Sequence, residues 1–160
     1  MNNKNRLRRT MMFLNAQKPN LLKDPFIYKP DSLIFDLEDA VALGEKDAAR
    51  FVLAHALKSV DYQNCEKVVR INGIDTPFWK EDIRCAVYAG CDSIRIPKTE
   101  SAEDVQAVEA EVLKAEKEAG VEEGHTLLMA AIESAKGVIN LKEICTASSR
   151  LFGVALSAGD

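Results

Sequence analysis

The sequence predicts an α/β protein built on a parallel β-sheet covered by helices, and three observations lead there. Short apolar runs bounded by turn residues recur at 11–14, 32–36, 67–72, 93–97, 127–131 and 151–156. Runs of this length suit strands buried on both faces. Segments with helical apolar spacing lie between them, and the strand–helix units repeat at roughly 25–35 residues, the rhythm of parallel crossover units.

Taken in order, MMFL at 11–14 is the first strand, and a proline-punctuated stretch around Pro25 and Pro30 predicts a loop-rich junction before SLIFD at 32–36. Ala49, Val52, Leu53 and Ala56 then mark one face of a helix. KVVRIN at 67–72 is a strand, and Trp79, Ile83 and Val87 repeat at four-residue spacing after it. SIRIP at 93–97 is followed by Ser101 and Asp104, spaced as a helix N-cap with an acidic residue at N3. The stripe Val105, Val108, Val112, Ala115 runs on to Gly120, which suits a C-cap. LLMAA at 127–131, the stripe Val138, Leu141, Ile144 and LFGVAL at 151–156 complete the pattern. Periodicity alone does not choose between an open doubly wound sheet and most of a barrel.

The 160 residues suffice for a single domain with a real core, and 47% apolar with 29% charged residues is ordinary globular composition. A net charge of −4 and a pI near 5.3 argue against nucleic acid as the main partner. No stretch is long enough to span a bilayer. Lys4, Arg6, Arg8 and Arg9 cluster near the start, so residues 1–8 are expected to be a flexible, solvated tail. The alternative is that some of these arginines face an anionic substrate. Cys65, Cys85, Cys91 and Cys145 form no C-x-x-C pair, and His55 and His125 complete no zinc pattern. The cysteines therefore read as reduced core residues of a cytoplasmic protein.

Charges recur just past the strands. Asp36, Glu38 and Asp39 follow the second, Arg70 ends the third, and Arg95 and Lys98 bracket the end of the fourth. Glu133 follows the fifth and Asp160 the sixth. Functional side chains of parallel α/β proteins collect at the carboxyl edge of the sheet. Each residue alone has a plainer reading, and Asp39 is as well placed to cap the next helix. Glu133 and Asp160, flanked by small residues, could hold one hard divalent cation, with Arg70 taking a substrate carboxylate in a bidentate pair. The residues by themselves thus point to an anionic ligand with Mg²⁺. Glycine-rich phosphate loops are absent.

The motifs RRTMMF, SLIFDLEDAVALGEKDAAR, VVRINGIDTPF, IRIPKTESAEDV and LMAAIESAKGV occur in that order from Arg8 onward. Through them the chain resembles the citrate lyase beta-subunit family, within the wider family of citryl- and malyl-thioester lyases and related aldolases. The resemblance implies a TIM (β/α)₈ barrel, here an incomplete one of about six β/α units. It implies Mg²⁺ held by Glu133 and Asp160, and a catalytic, substrate-binding role for Arg70 and Glu133. Asp36, Glu38, Asp39 and Lys98 are candidates for support or substrate contact. It also implies cleavage of a citryl thioester, carried on an acyl-carrier (gamma) subunit, to oxaloacetate and an acetyl thioester. A transferase (alpha) subunit and a homo- or hetero-oligomeric assembly come with that reading.

The chain departs from the family in three places. It stops after the sixth strand, so it is expected to be truncated, with the edges of strands one and six open to association. The family's Pro-Gly turn after strand one is replaced by Asn15 and Ala16, and its Gly-Ala-Glu-Asp ending by Ser157, Ala158, Gly159 and Asp160. The rival readings are a lyase acting on malyl or other hydroxyacyl-coenzyme A, an inactive fragment retained for assembly, and a doubly wound signalling domain with Asp36 as phosphoacceptor.

Overall fold

Six strands form one sheet in the order β1-β2-β3-β4-β5-β6, every neighbouring pair parallel. The computed structural model describes residues 4–157, so Asp160, proposed above as a metal ligand, lies outside the described residues. The strands are β1 Met11–Asn15, β2 Ser32–Asp36, β3 Glu66–Arg70, β4 Ser93–Ile96, β5 Leu127–Ile132 and β6 Leu151–Leu156. The helices are α1 Pro19–Leu22, α2 Lys46–Ser59, α3 Trp79–Ala89, α4 Ala102–Ala119, α5 Ala135–Ile139 and α6 Leu141–Thr146. Among the described residues no helix is long and apolar enough to cross a membrane.

The strand order decides what periodicity left open. Each connection moves one strand onward, and parallel crossovers are right-handed, so every helix lands on the same side of the sheet. A doubly wound sheet needs a reversal of order, and none occurs among the described strands. The signalling-domain reading therefore fails, and the architecture is that of a singly wound β/α barrel. Side-chain parity agrees. Leu14, Leu33, Phe35, Val69, Ile94, Ile96, Leu128, Ala130 and Ile132 join Ala49, Leu53, Ile83, Val87, Val105, Val108, Val112 and Ile144 in one helix-side core. The opposite parity, with Ile34, Val68 and Met129, lies outside that cluster and faces the interior.

On the interior face, side chains from strands three steps apart come together: Phe13 on β1 and Arg95 on β4 lie 5.5 Å apart, guanidinium carbon to ring centroid. At the N-terminal end of the strands the interior is sealed by Arg8. Its guanidinium donates to Glu66 (Nε–Oε2 2.7 Å) and lies 3.7 Å above the Phe152 ring. Ser32 donates to the same carboxylate. Arg9 pairs with Asp31, whose carboxyl is held well below the usual range by that hydrogen bond. Arg8 and Arg9 thus brace the end opposite the charge-rich edge. Both charges are paired at that end, away from the carboxyl edge.

Local signals explain the helices. Ser101 caps α4 in a full capping box with Asp104, and Gly120 ends it with a φ of 67° that favours glycine. The stripe Val138, Leu141, Ile144 does not make one helix. Asn140 separates α5 from α6, its Nδ2 donating to the Glu100 carbonyl (2.8 Å), and Val138 is exposed while Ile144 is buried. The proline-punctuated junction holds a 3₁₀ turn, Pro25–Tyr28. All four cysteines are free, but only Cys65 and Cys91 are buried. Cys85 is half-buried and Cys145 is exposed on α6, so the expectation of four core cysteines is corrected: position 145 is off the stripe that buries Ile144.

Removing the capping hydroxyl of Ser101 leaves an N-terminal N–H of α4 without its partner. Ser101→Ala is expected to lower the unfolding free energy by about 1 kcal/mol, measured as a shift in the denaturant midpoint at constant slope; no shift would remove the cap from the account.

Candidate active site at the carboxyl edge of the sheet

Asp36 ends β2 and Arg70 ends β3, and the two are register partners on adjacent strands. Both point to the interior and close a bidentate pair: Nε donates to Oδ1 and Nη2 to Oδ2, each at 2.7 Å. The same carboxylate accepts the backbone N–H groups of Glu38 (2.9 Å) and Ala40 (3.0 Å). Asp36 is therefore fully used, folding the β2–α2 loop around itself while locking the guanidinium. Arg70 also lies 3.2 Å from Glu38 and 3.7 Å from Asp39, and 5.1 Å from the centre of the Phe13 ring. Burial works against its charge, but the hydrogen bonds and charges of Asp36, with Glu38 and Asp39, keep its pKa raised. A guanidinium carries five N–H groups, and Asp36 engages two of them.

Glu38 is buried between two cations, Arg70 at 3.2 Å and Lys98 at 3.1 Å. Burial nevertheless raises its carboxyl above the usual range. Asp39 is half-exposed and caps no helix, since α2 is preceded by Glu45; it flanks Arg70 and Lys98 instead. Lys98 sits in the loop after β4 with a φ of 48°, a strained conformation for a side-chain-bearing residue. Its ammonium is raised by the hydrogen bond and charge of Glu38. Glu133 follows β5, and both its carboxylate oxygens are buried. Its charge adds to the raising of Lys98, and it offsets part of the lowering of Arg95 that burial and Arg70 produce. Glu133, Ser134 and Lys98 line an open groove of about 530 Å³, with Gly73, Asp75 and Glu100.

Strand order and parity thus bring Asp36, Glu38, Asp39, Arg70, Lys98 and Glu133 together at one edge. Sequence reasoning missed the groups that hold them. Lys46 is buried and donates to the carbonyls of Leu37 (2.8 Å) and Glu38 (2.7 Å). Asn72 donates to Leu37 O and to Asp82, and Asp82 also accepts from Arg50. The available signal was a charged residue beside each apolar stripe, Arg50 after Ala49 and Asp82 before Ile83. After β1, Asn15 Nδ2 donates to Ala40 O (2.6 Å), so the turn that lacks Pro-Gly is tied to the Asp36 loop.

A divalent cation fits this edge by its chemistry. Magnesium commonly takes one or two carboxylates and keeps water or substrate oxygens in its other positions. Among the described residues no cluster of three or more His, Cys, Asp or Glu forms a cage. Asp36 and Glu38 are engaged by cations, and Glu133, buried beside the groove, is a carboxylate that could serve such a site.

Comparisons with known proteins give the family. Residues 9–160 match the family described as HpcH/HpaI aldolase/citrate lyase. The chain is 55% identical over its whole length to citrate lyase subunit beta of Leuconostoc mesenteroides subsp. cremoris, covering 53% of that protein. It is 37% identical over 97% of its length to the L-malyl-CoA/beta-methylmalyl-CoA lyase of Rhodobacter capsulatus, covering 49% of it. Among solved structures it is similar to a citrate lyase beta subunit from Mycobacterium tuberculosis complexed with oxaloacetate and magnesium, at 26% identity and a TM-score of 0.69. That match covers 93% of this chain and 59% of the other. The chain spans about half the length of the curated relatives it matches.

The buried Glu38 carboxyl supplies a pH test. Its folded pKa is raised, so its contribution to stability is full below the ordinary carboxylate pKa and is lost as pH rises through the raised value. Unfolding free energy measured against pH should show that decline, and Glu38→Gln should flatten it; an unchanged slope would place the carboxyl in the ordinary range.

Proposed function

The chain belongs to the HpcH/HpaI aldolase/citrate lyase family, and on that premise we propose that it works as the beta subunit of a citrate lyase, cleaving a citryl thioester to oxaloacetate and an acetyl thioester. The observation that carries this reading is the Arg70 guanidinium, fixed by Asp36 and turned to the interior at the strand ends, with Glu133 lining the groove at the same edge. The greater likeness to a citrate lyase subunit (55%) than to a malyl-coenzyme A lyase (37%) favours the citryl substrate.

Cleavage breaks the bond between the hydroxyl-bearing carbon and the carbon next to the thioester. The hydroxyl loses its proton and becomes the ketone of oxaloacetate. The electron pair passes to the thioester's α-carbon, which then takes up a proton. Arg70 binds the carboxylate next to the hydroxyl in a bidentate pair and keeps the scissile bond oriented. Because Asp36 already fixes the fork, little conformational freedom is lost when the carboxylate arrives. Glu38 and Lys98 form an ion pair that flanks Arg70 and sets the local charge balance. Glu133, with Asp160, would hold magnesium, which when bound lowers the hydroxyl pKa and stabilises charge on the product's oxygens.

The transferase and acyl-carrier subunits, a homo- or hetero-oligomeric assembly and a cytoplasmic setting belong to the same proposal. The four free cysteines support a reducing compartment.

The reading is tested by oxaloacetate release from a citryl thioester with Mg²⁺ and with EDTA. Release is expected only with the metal, and Glu133→Gln should abolish it together with Mg²⁺ binding. Arg70→Ala should lower kcat/KM by about 10²–10³-fold, the usual loss for one preorganised donor, with Mg²⁺ affinity retained. Release that survives EDTA, or faster cleavage of a malyl thioester, would overturn the assignment.

A further inference from the structure

The barrel interior holds a charge that the site described above leaves unused. Arg95 points inward from β4 and is 5% exposed. Its Nη2 donates to Ser157 Oγ (3.2 Å), its Nη1 meets Met129 Sδ (3.6 Å), and its Nε is buried with no hydrogen-bond partner among the described residues. Among the described residues no carboxylate forms an ion pair with it, whereas its register partner Arg70 has three. A neutral hydroxyl and a thioether do not compensate a buried guanidinium.

The position is costly in a second way, since like charges on adjacent strands repel. Burial, and then Arg70, lower the pKa of Arg95, and the more distant Glu133, Glu38 and Asp36 offset this only in part. A guanidinium does not escape by losing its proton. The arrangement therefore calls for an anion. Arg8, Glu66 and Phe152 occupy the other end, so the carboxyl edge is the approach that meets Arg95 together with Arg70. Arg70 and Arg95 both approach the half-exposed Phe13 ring, at 5.1 and 5.5 Å, so an anion entering beside that ring meets both.

We propose that Arg95 binds a second substrate carboxylate, so that the site selects substrates and products with two carboxylates over those with one. The inference rests on the lyase reading of the site and deepens it. A citryl thioester keeps two free carboxylates, one on the hydroxyl-bearing carbon and one on the remaining arm. A malyl thioester keeps only the first. Arg70 takes the carboxylate common to both, and Arg95 takes the arm. Oxaloacetate and pyruvate differ in the same way, sharing the 2-oxo carboxylate and differing by the distal one.

Calorimetric titration of the chain with oxaloacetate and with pyruvate, in Mg²⁺, tests this. The unmodified chain should bind oxaloacetate about tenfold or more tightly than pyruvate, as one charge-assisted pair permits. Arg95→Met, which replaces the charge with an apolar chain of similar length, should bind the two alike. Its pyruvate affinity should stay unchanged and its unfolding midpoint should not fall. A preserved oxaloacetate preference in that variant, or equal loss of both ligands from a folded variant, overturns the role of Arg95. Binding of neither ligand by the unmodified chain overturns the lyase reading itself, and the inference with it. Should Arg95→Met lose its cooperative transition, Arg95→Lys decides, since it keeps the charge without the planar fork. A reduced preference with intact pyruvate binding then supports the role, and an unchanged preference overturns it.

Discussion

The bidentate pair between Asp36 and Arg70 is the interaction on which the carboxyl edge of this sheet depends. It joins adjacent strand ends, and the two backbone N–H groups that Asp36 also accepts fold the following loop back over it. That loop carries Glu38 and Asp39, which in turn place Lys98. Charges buried in this way are weak contributors to net stability, because desolvation offsets most of their attraction. Removing one partner, however, strands the other. The pair therefore acts as a positioning device more than as a stabiliser, and it holds a guanidinium in place before any ligand arrives.

Stability comes from the other face. Strand residues of one parity pack against α2, α3, α4 and α6 in a continuous core that includes Leu33, Phe35, Leu53, Ile83, Ile94, Val108 and Ile144, all fully buried. Burying such side chains contributes about 1.5–3 kcal/mol each. This helix-side core offsets what the interior costs: a paired but desolvated Asp36–Arg70 unit, a buried Glu38 with a raised carboxyl, and a left-handed Lys98. The division of labour follows from the alternation of strand side chains, since successive residues serve opposite faces.

That alternation also sets how much the sequence could disclose. Apolar runs bounded by turn residues located all six strands, and Ser101 with Asp104 announced the start of α4 by a local rule that tertiary context did not override. Strand order is a long-range property, so the choice between barrel and doubly wound sheet rested on resemblance to a family until the topology was in view. The edge charges were legible because each follows a strand. Their pairing was not: nothing local tells that Asp36, rather than a ligand, occupies two of the Arg70 donors. Lys46, Asn72 and Asp82 were missed because they contact backbone carbonyls and one another across 8 to 35 residues of sequence. The break at Asn140 was hidden because its partner is the Glu100 carbonyl, supplied by the preceding β/α unit.

The two interior arginines show why placing a charge differs from holding one. Arg70 and Arg95 come from register-paired positions, yet one is surrounded by carboxylates and the other by a hydroxyl, a sulfur and an aromatic ring. If interior charge served stability alone, both would be neutralised or neither would be present, because an apolar residue at position 95 would cost less. Strained and undercompensated groups concentrate where a ligand completes them. Arg70 is neutralised by the protein and so is held still; Arg95 is left undercompensated and so gains most from an incoming carboxylate. A substrate with two carboxylates matches that asymmetry, since one end meets a fixed donor fork and the other supplies a counter-charge that the described residues do not place against Arg95.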